Sequence, residues 1–303
     1  MHKKLKSKKF FMKFFLIILK ILIIVFNNYA FSQTTIFYNE KDKTCNDYDA
    51  KYCRFNLFID PDTLYIKGYI TSYFKCVQNL NEINFELSYA INVDSVIFHN
   101  QKVNFFHGID DKLQIFLPFT INQGEIDSIT IYYQGSPISE GGFGSFVKDY
   151  HNGVPIIWTL SEPYGSKDWW PVKSALQDKI DSIDIIVKTP QPYRVASNGV
   201  LIAEVYSNDT IITHWKHKYP ISPYLVGLAV TNYIDYSDYV EFANDTLQIL
   251  NYVFPENFNT AQLKSKDIIP IFKLYDSLFI TYPFIKEKYG QAEIISGVVP
   301  HHL

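Results

Sequence analysis

The sequence lacks the short motifs by which several enzyme classes are recognised. It contains no Gly-x-Ser-x-Gly nucleophile elbow, no glycine-rich phosphate loop and no Cys-x-x-Cys pair. These absences argue against an independent hydrolase that uses one of those sites and against a cysteine-based zinc site. An excess of basic residues is also missing, because the net charge is −3. No nucleic-acid partner is therefore expected.

Cysteine is scarce: the sequence contains only Cys45, Cys53 and Cys76. Three thiols form at most one disulfide and leave one thiol over, and the sequence leaves the pairing open. The alternative is that Cys53 and Cys76 are small apolar strand residues and that Cys45 is an incidental loop residue. No metal is expected at these three positions, since the paired spacing of zinc ligands is absent.

Apolar residues, in contrast, are plentiful, at 47% of the chain with 17% aromatic residues. This composition supports a packed core and excludes a disordered protein. A length of 303 residues fits one large domain or two ordinary ones.

The first 32 residues have the pattern of a secretory signal peptide. Five lysines within residues 3–9 precede an apolar stretch over residues 14–26, and Ala30 and Ser32 are the small residues that a signal peptidase reads. An uncleaved anchor is the alternative, but Lys20 interrupts the apolar run, which is shorter than the ~20 residues that span a bilayer. We predict cleavage after Ser32 and export to a bacterial periplasm, cell surface or medium, with no stable membrane span after cleavage.

From residue 52 onward the apolar residues repeat with a period of two, as in residues 83–91, 113–117 and 129–133. Turn residues separate these segments at short intervals, and such punctuation is typical of half-buried antiparallel strands. Asn198-Gly199 predicts a tight type I′ hairpin between residues 193–195 and 200–202. The pattern indicates a mainly β fold, a sandwich or saddle of antiparallel sheets.

After residue 255 the period becomes helical. Apolar residues between Leu263 and Phe279 form one broad stripe, and Pro270 is expected to divide or kink the helix. A short amphipathic helix without a sheet of its own to cover is expected to expose an adhesive apolar face.

Two segments carry a family resemblance. Ser161-Glu-Pro-Tyr-Gly-Ser-Lys-Asp-Trp-Trp-Pro171 and Tyr282-Pro-Phe-Ile-Lys-Glu-Lys-Tyr-Gly290-Gln-Ala resemble the aminopeptidase N family of zinc metallopeptidases, the gluzincin aminopeptidases. The resemblance extends over residues 49–292. It implies an aminopeptidase N-like amino-terminal β domain followed by the opening helix of a thermolysin-like catalytic domain.

In that family a substrate loop and a His-Glu-x-x-His zinc helix follow this point, and neither motif occurs here. After Glu293 the sequence departs from the family pattern, which we interpret as a frameshift, a premature stop or a truncated gene model. The resemblance thus implies zinc for the full-length family enzyme but no cofactor and no catalytic residue in this chain.

Glu162 is the candidate substrate-binding residue. The resemblance implies that Glu162-Pro163 matches a loop whose side chain holds the α-amino group of a peptide, so peptides with a free N-terminus are the expected partners, bound weakly. An exposed loop glutamate, or one paired with Lys167, is the alternative. Lys167, Val172 and Ser174 depart from the family's more common Arg, Cys and Asp.

Other candidates receive structural interpretations. His214 and His217 have the i, i+3 spacing of a helical pair, but they lie in a segment predicted as strand and turn, without a neighbouring Glu. The adjacent His301 and His302 are expected in a solvated tail, and His151 is expected in a turn. Trp169-Trp170 is expected to pack a loop onto the core, with a binding platform as the alternative. The stretch Asp178-Lys-Ile-Asp181 is expected to seal a loop.

These observations predict a signal peptide over residues 1–32, an aminopeptidase N-like β domain over 33–253 and the start of a catalytic domain over 254–303. The leading hypothesis is the amino-terminal fragment of an exported zinc-dependent aminopeptidase, inactive as this chain. The alternative is a non-catalytic β-sandwich module that binds peptides or proteins.

Overall fold

The computed structural model describes residues 46–138 and 144–295. The predicted signal peptide, Cys45 and the pair His301-His302 lie outside the described residues, so these predictions remain predictions.

The described residues fold into eighteen strands and two α-helices, joined by short loops and 3₁₀ turns. The strands are β1 (Tyr48–Ile59), β2 (Ile66–Cys76), β3 (Leu80–Glu86), β4 (Ile91–Phe98), β5 (Gln101–Val103), β6 (Phe105–His107), β7 (Lys112–Ile121), β8 (Ile126–Gly135), β9 (Val147–His151), β10 (Val154–Trp158), β11 (Ser182–Pro190), β12 (Arg194–Ser197), β13 (Val200–Ser207), β14 (Thr210–His217), β15 (Leu228–Thr231), β16 (Ile234–Glu241), β17 (Thr246–Val253) and β18 (Lys288–Ala292). The helices are α1 (Phe258–Lys264) and α2 (Ile268–Leu278).

The largest sheet has eight strands in the order β13-β14-β11-β1-β2-β8-β4-β5. Its pairs are antiparallel except for β1 with β11, which run parallel. Three smaller sheets complete the fold: β12-β15-β10-β9, β16-β17-β18 and β3-β7-β6. The mainly β fold of antiparallel sheets with a short helical segment, predicted from the period of two, is confirmed.

The core lies between the sheets and is built by the inward-facing half of each alternating strand. Phe55, Ile70, Ile131 and Val187 are all fully buried within the eight-stranded sheet. Burial of such side chains contributes about 1.5–3 kcal/mol each to the free energy of folding.

The alternating segment 83–91 is not one strand. β3 ends at Glu86 and β4 begins at Ile91, in different sheets. In the connection Leu87 N–H donates to the Asp111 carbonyl at 2.8 Å and Ser88 N–H to the Lys167 carbonyl at 2.7 Å. The chain therefore crosses between sheets although the apolar residues of its sequence keep the period of a strand; burial does not follow that period, since Tyr89 is 55% exposed and Ser88 is buried.

The hairpin predicted at Asn198-Gly199 is wrong, although the turn exists. β12 pairs with β15 and β13 pairs with β14, so the flanking strands belong to different sheets. Gly199 has φ of +81°, whereas the Asn198 side chain donates to the Leu225 carbonyl at 3.0 Å. Positive φ at both central residues, as type I′ turns require, occurs instead at Asn152-Gly153 between β9 and β10.

The helical segment divides before Pro270 and not at it. A 3₁₀ turn over Ser265–Asp267 separates α1 from α2, and Pro270 lies in the first turn of α2, where a missing N–H costs no hydrogen bond. One side of α2, with Ile268 and Phe272, packs against a small cluster of Val240, Leu247 and Ile249. Within the described residues no helix combines the length and the apolar character needed to cross a membrane.

The segment after the helices returns to the β domain. β18 adds to β17 as a parallel strand, with Leu250 opposite Gly290. The predicted domain boundary at residue 253 coincides with the end of β17, and it remains a prediction.

Cys53 and Cys76 are buried strand residues with free thiols. Burial raises the pKa of the Cys53 thiol to about 12. This environment fits their interpretation as small apolar residues of the core.

Candidate functional site

The loop that contains Glu162 leaves the end of β10. Thr159 N–H still donates to the Leu228 carbonyl of β15 at 3.0 Å, which extends the sheet by one residue. The chain then turns at Glu162-Pro163, a cis peptide, and enters a 3₁₀ turn over Gly165–Asp168. Sheet pairing therefore fixes the position at which the loop begins.

Hydrogen bonds within the loop hold its shape. Gly165 N–H donates to the Ser161 carbonyl at 2.8 Å, and Trp169 Nε1–H donates to Ser161 Oγ at 3.0 Å. Ser145 Oγ donates to the Asp168 carboxylate at 2.5 Å. A Cβ at Gly165 would lie 2.1 Å from Ser145 Oγ, so a larger residue here would displace the hydroxyl that donates to Asp168.

The Trp169-Trp170 pair anchors the loop to the core. Trp169 is 0% and Trp170 1% exposed, and their ring centroids lie 6.2 Å and 5.0 Å from that of Phe55 on β1. The packing interpretation is confirmed, and the alternative of a binding platform is wrong because both rings are inaccessible.

Glu162 is half-buried on this anchored loop. Lys167 does not pair with it, because the Lys167 ammonium donates to the Asp111 carboxylate. Burial lowers the pKa of Lys167, but the hydrogen bond and charge of Asp111 outweigh that effect and raise it. Within residues 46–138 and 144–295, the Glu162 carboxylate has no hydrogen bond and no ion pair. The side chain is thus available to an external cation.

The two histidines of β14 do not form a joint site. His214 Nε2 donates to Asp184 at 2.6 Å, whereas His217 Nδ1 donates to Glu287 at 2.6 Å. Residues three apart on a strand face opposite sides of the sheet, which separates the rings. In the part of the chain that the structure describes, no three His, Cys, Asp or Glu side chains are grouped as metal ligands.

Asp178 seals a loop, as its sequence context predicted. Its carboxylate accepts from Ala50 N–H at 3.1 Å and from Lys173 Nζ at 2.5 Å. The contact ties the segment after Pro171 to the start of β1.

His151 was expected in a turn but is the last residue of β9, and it is 3% exposed. Its Nδ1 donates to Glu256 at 2.8 Å, its Nε2 lies 2.9 Å from Thr231 Oγ1, and its ring stacks on Phe254 at 3.8 Å. Sequence analysis missed this cluster because its members are up to 105 positions apart.

Lys288 was also missed, although it lies in the Tyr-Pro-Phe segment. It is 8% exposed, its Nζ donates to the Ser197 carbonyl at 2.8 Å, and it lies 4.9 Å from the centroid of the Trp215 ring. Burial lowers the pKa of Lys288 to about 8, against an upward effect of Glu287. No local pattern distinguishes it from the exposed Lys286 two residues earlier.

Comparisons with known proteins relate part of the chain to one protein family. Residues 44–225 match the peptidase M1 N-terminal domain. A comparison with curated proteins gives no match.

Solved structures of M1 zinc metallopeptidases share the fold. The enzyme from Deinococcus radiodurans aligns with a TM-score of 0.72 at 18% identity, over 83% of this chain and 57% of that one. A mutant of the Deinococcus enzyme bound to a Tyr-Ser-Ala substrate aligns with a TM-score of 0.73 at 18% identity, over 84% and 58%. A two-domain M1 mutant bound to L-tryptophan aligns with a TM-score of 0.71 at 19% identity, over 82% and 57%.

The present chain therefore spans little more than half the length of these structures, and at such identities the likeness shows the fold. The family rests on the match of residues 44–225, which cover more than half of the chain. The chain belongs to the peptidase M1 N-terminal domain family.

Proposed function

We propose that this chain forms the amino-terminal part of an exported zinc-dependent aminopeptidase, in which Glu162 holds the free α-amino group of a peptide. The observation that carries the proposal is the Glu162 carboxylate itself. It lies on a loop anchored by the buried Trp169-Trp170 pair and has no partner among the described residues.

A carboxylate in this position suits a peptide N-terminus. An α-ammonium group has three N–H donors, and a charge-assisted hydrogen bond to a carboxylate is about twice as strong as a neutral one. Because Glu162 is half-buried, water and salt screen the pair, and a single contact of this kind contributes about 0.2–1 kcal/mol. The chain is expected to bind peptides weakly.

Zinc does not fit the residues present. The family reaction requires two imidazoles one helical turn apart and a carboxylate ligand, but the 303 residues contain no His-Glu-x-x-His. The described histidines are instead engaged separately with Asp184, Glu256, Glu287 and other partners. We assign no hydrolytic step to this chain and propose that these residues alone do not cleave peptides.

The exposed side of the helical segment supports a role for this chain as part of a larger protein. Leu263, Leu274, Leu278, Phe279 and Ile280 are each more than 50% exposed, and all five lie between residues 263 and 280. Large exposed apolar side chains that group together often mark an interaction surface. The same surface favours the second candidate function, a non-catalytic module that binds a protein or peptide.

Binding of alanyl-alanine, followed by chemical shift changes in NMR spectra, tests the proposal. We expect weak binding of the free dipeptide and none of its N-acetylated form, because acetylation removes the positive charge. Glu162→Gln should weaken binding severalfold, whereas Glu241→Gln, an exposed glutamate on β16, should leave binding unchanged.

Equal binding of free and acetylated dipeptide would contradict the role of Glu162. Cleavage of aminoacyl-nitroanilides that is lost on chelation and restored by zinc would contradict the proposed inactivity. Sequencing the DNA beyond the codon for Leu303 distinguishes the two candidates, because a His-Glu-x-x-His motif in another frame favours the peptidase fragment.

A further inference from the structure

The eight-stranded sheet has one face in the core and one face in solvent. Phe55 on β1, Ile70 on β2 and Ile131 on β8 point into the core. Because side chains alternate along a strand, the intervening residues point to the opposite side, called here the outer face. On the three central strands these are Arg54, Asn56, Phe58, Lys67, Tyr69, Thr71, Tyr73, Lys75, Thr130, Tyr132 and Gln134.

The strand register arranges the outer face in rows that alternate in chemistry. Successive rows along β2 are Lys188-Phe58-Lys67, then Asn56-Tyr69-Tyr132, then Asp184-Arg54-Thr71-Thr130, then Tyr52-Tyr73, and finally Asp49-Lys75. Rows with cations thus alternate with rows of paired tyrosines. We call this pattern the cation–tyrosine stripe.

The stripe is long and regular. Cation-bearing rows are four residues apart on β2, which at ~3.3 Å per residue corresponds to roughly 13 Å. From Lys67 to Lys75 the stripe therefore extends about 26 Å along the strands. A linear chain with evenly spaced charges fits this geometry better than a compact ligand.

The aromatic rows present paired rings with polar tips. The ring centroids of Tyr69 and Tyr132 are 4.9 Å apart, and those of Tyr52 and Tyr73 are 5.5 Å apart. Tyr73 is 41% and Tyr132 37% exposed. Such rings combine apolar area with hydroxyl groups that form hydrogen bonds.

The cations of the stripe are not neutralised by the protein. Among the described residues, the side chains of Arg54, Lys67, Lys75 and Lys188 form neither a hydrogen bond nor an ion pair, and all four residues are exposed. This excess of positive charge stands out in a chain whose net charge is −3.

The neighbouring carboxylates are already engaged. Asp184 accepts from Tyr52 Oη at 2.5 Å, from His214 Nε2 at 2.6 Å and from Lys216. Asp49, opposite Lys75, pairs with Lys51 at 2.7 Å. Asp94 accepts from Gln134 Nε2 at 2.9 Å.

We propose that the cation–tyrosine stripe binds an acidic polysaccharide that lies along β1 and β2. Charge complementarity selects a polyanion, since unpaired cations recur along the stripe. The hydroxyls of the exposed Tyr73 and Tyr132 offer hydrogen bonds to sugar hydroxyls. This inference is independent of the proposed role of Glu162.

Single-stranded nucleic acid is the competing polyanion, because it also combines charge with stacking. The geometry favours the polysaccharide. Each tyrosine packs against its neighbour, with no gap between the paired rings for a base. The chain also lacks the overall basic charge that is typical of nucleic-acid-binding domains.

Affinity electrophoresis and thermophoresis of the full chain, with polygalacturonate, dextran and an oligo-dT strand as probes, test the proposal. We expect binding of polygalacturonate that weakens as salt is raised, and none of dextran. The triple variant Arg54→Gln, Lys67→Gln, Lys188→Gln should lower the affinity about tenfold, because three exposed ion pairs are removed. Its control is Lys264→Gln, Lys266→Gln, Lys273→Gln, which changes the net charge equally on exposed helical positions.

A second pair of variants tests the aromatic contribution. Tyr73→Ala should weaken binding severalfold, whereas Tyr239→Ala, at a tyrosine that is 57% exposed on β16, should not. Thermal unfolding checks that each variant is folded. Absence of polygalacturonate binding, equal loss in both triple variants, or binding of oligo-dT in preference to polygalacturonate would each overturn the proposal.

Discussion

Lys288 provides the sharpest test of the energetics of this fold. Its side chain is buried, its Nζ donates to the Ser197 carbonyl at 2.8 Å, and its pKa is lowered from 10.5 to about 8 by burial. This lowering of the pKa corresponds to about 3 kcal/mol of preference for the neutral amine in the folded state.

The sign of the pH dependence follows from proton binding. Between pH 8 and pH 10.5 the unfolded chain keeps the Lys288 proton while the folded chain has released it. The free energy of unfolding therefore rises with pH across that window. This contribution is complete above the unfolded pKa and is lost as the pH falls through the folded pKa.

The substitution Lys288→Met removes this titration. At pH 7 it also relieves the cost of a buried ammonium but loses one hydrogen bond and a contact with the Trp215 ring, each worth about 1 kcal/mol. We expect the variant to be more stable than the natural chain by about 1–2 kcal/mol at pH 7 and less stable near pH 10.5.

Urea denaturation at several pH values between 7 and 10.5 measures both effects. The difference in unfolding free energy between the natural chain and the variant isolates the contribution of Lys288, because other groups that titrate in this pH range are present in both proteins. Lys286→Met serves as control, because Lys286 is exposed and pairs with Asp245 at 2.5 Å. A difference curve that is flat across the window would refute the reasoning.

The remaining predictions concern backbone conformation and a buried polar cluster. Gly199→Ala should destabilise the fold by more than about 2 kcal/mol, because a Cβ would lie 2.2 Å from the Lys216 carbonyl oxygen at φ of +81°. Gly124→Ala, at φ of +87° in open space, should cost only about 1 kcal/mol, and equal costs in urea denaturation would contradict the steric argument. His151→Phe should cost about 2–3 kcal/mol, since it removes two hydrogen bonds while retaining the stacked ring. Burial raises the pKa of Glu256, but the hydrogen bond from His151 outweighs it and lowers the pKa. The stability difference between the natural chain and Glu256→Gln should therefore shrink as the pH falls below 4.5, and a constant difference would disprove the coupling.

Local pattern was sufficient to predict the β class but not the assignment of strands to sheets. Alternation identifies Ile83 and Phe85 as buried, and the structure confirms it. It does not reveal the crossing at residues 87–90, because the carbonyl partners belong to Asp111 and Lys167. Asn198-Gly199 likewise predicts a turn, whereas the partners of its flanking strands are set by distant residues.

The candidate site shows the same division. Burial of Trp169 follows from its apolar character, but Glu162 is distinguished from other loop glutamates only by the resemblance of its segment to the family. His151 and Lys288 could not be identified from sequence, because their environments are built by Glu256, Thr231 and Ser197, which are 80 to 105 positions away.

The parallel pairing of β1 with β11 has a consequence for the order of folding. Phe55 lies beside Ile185, roughly 130 residues later in the chain, and β1 occupies the middle of the eight-stranded sheet. During synthesis, which starts at the amino terminus, β1 can pair with β2 early. Its other edge stays unpaired until β11 has been made. Completion of the sheet then requires the closure of a long loop, so folding should be slow and late relative to synthesis. The unpaired edge of β1 must therefore avoid aggregation until the chain has been synthesised as far as β11.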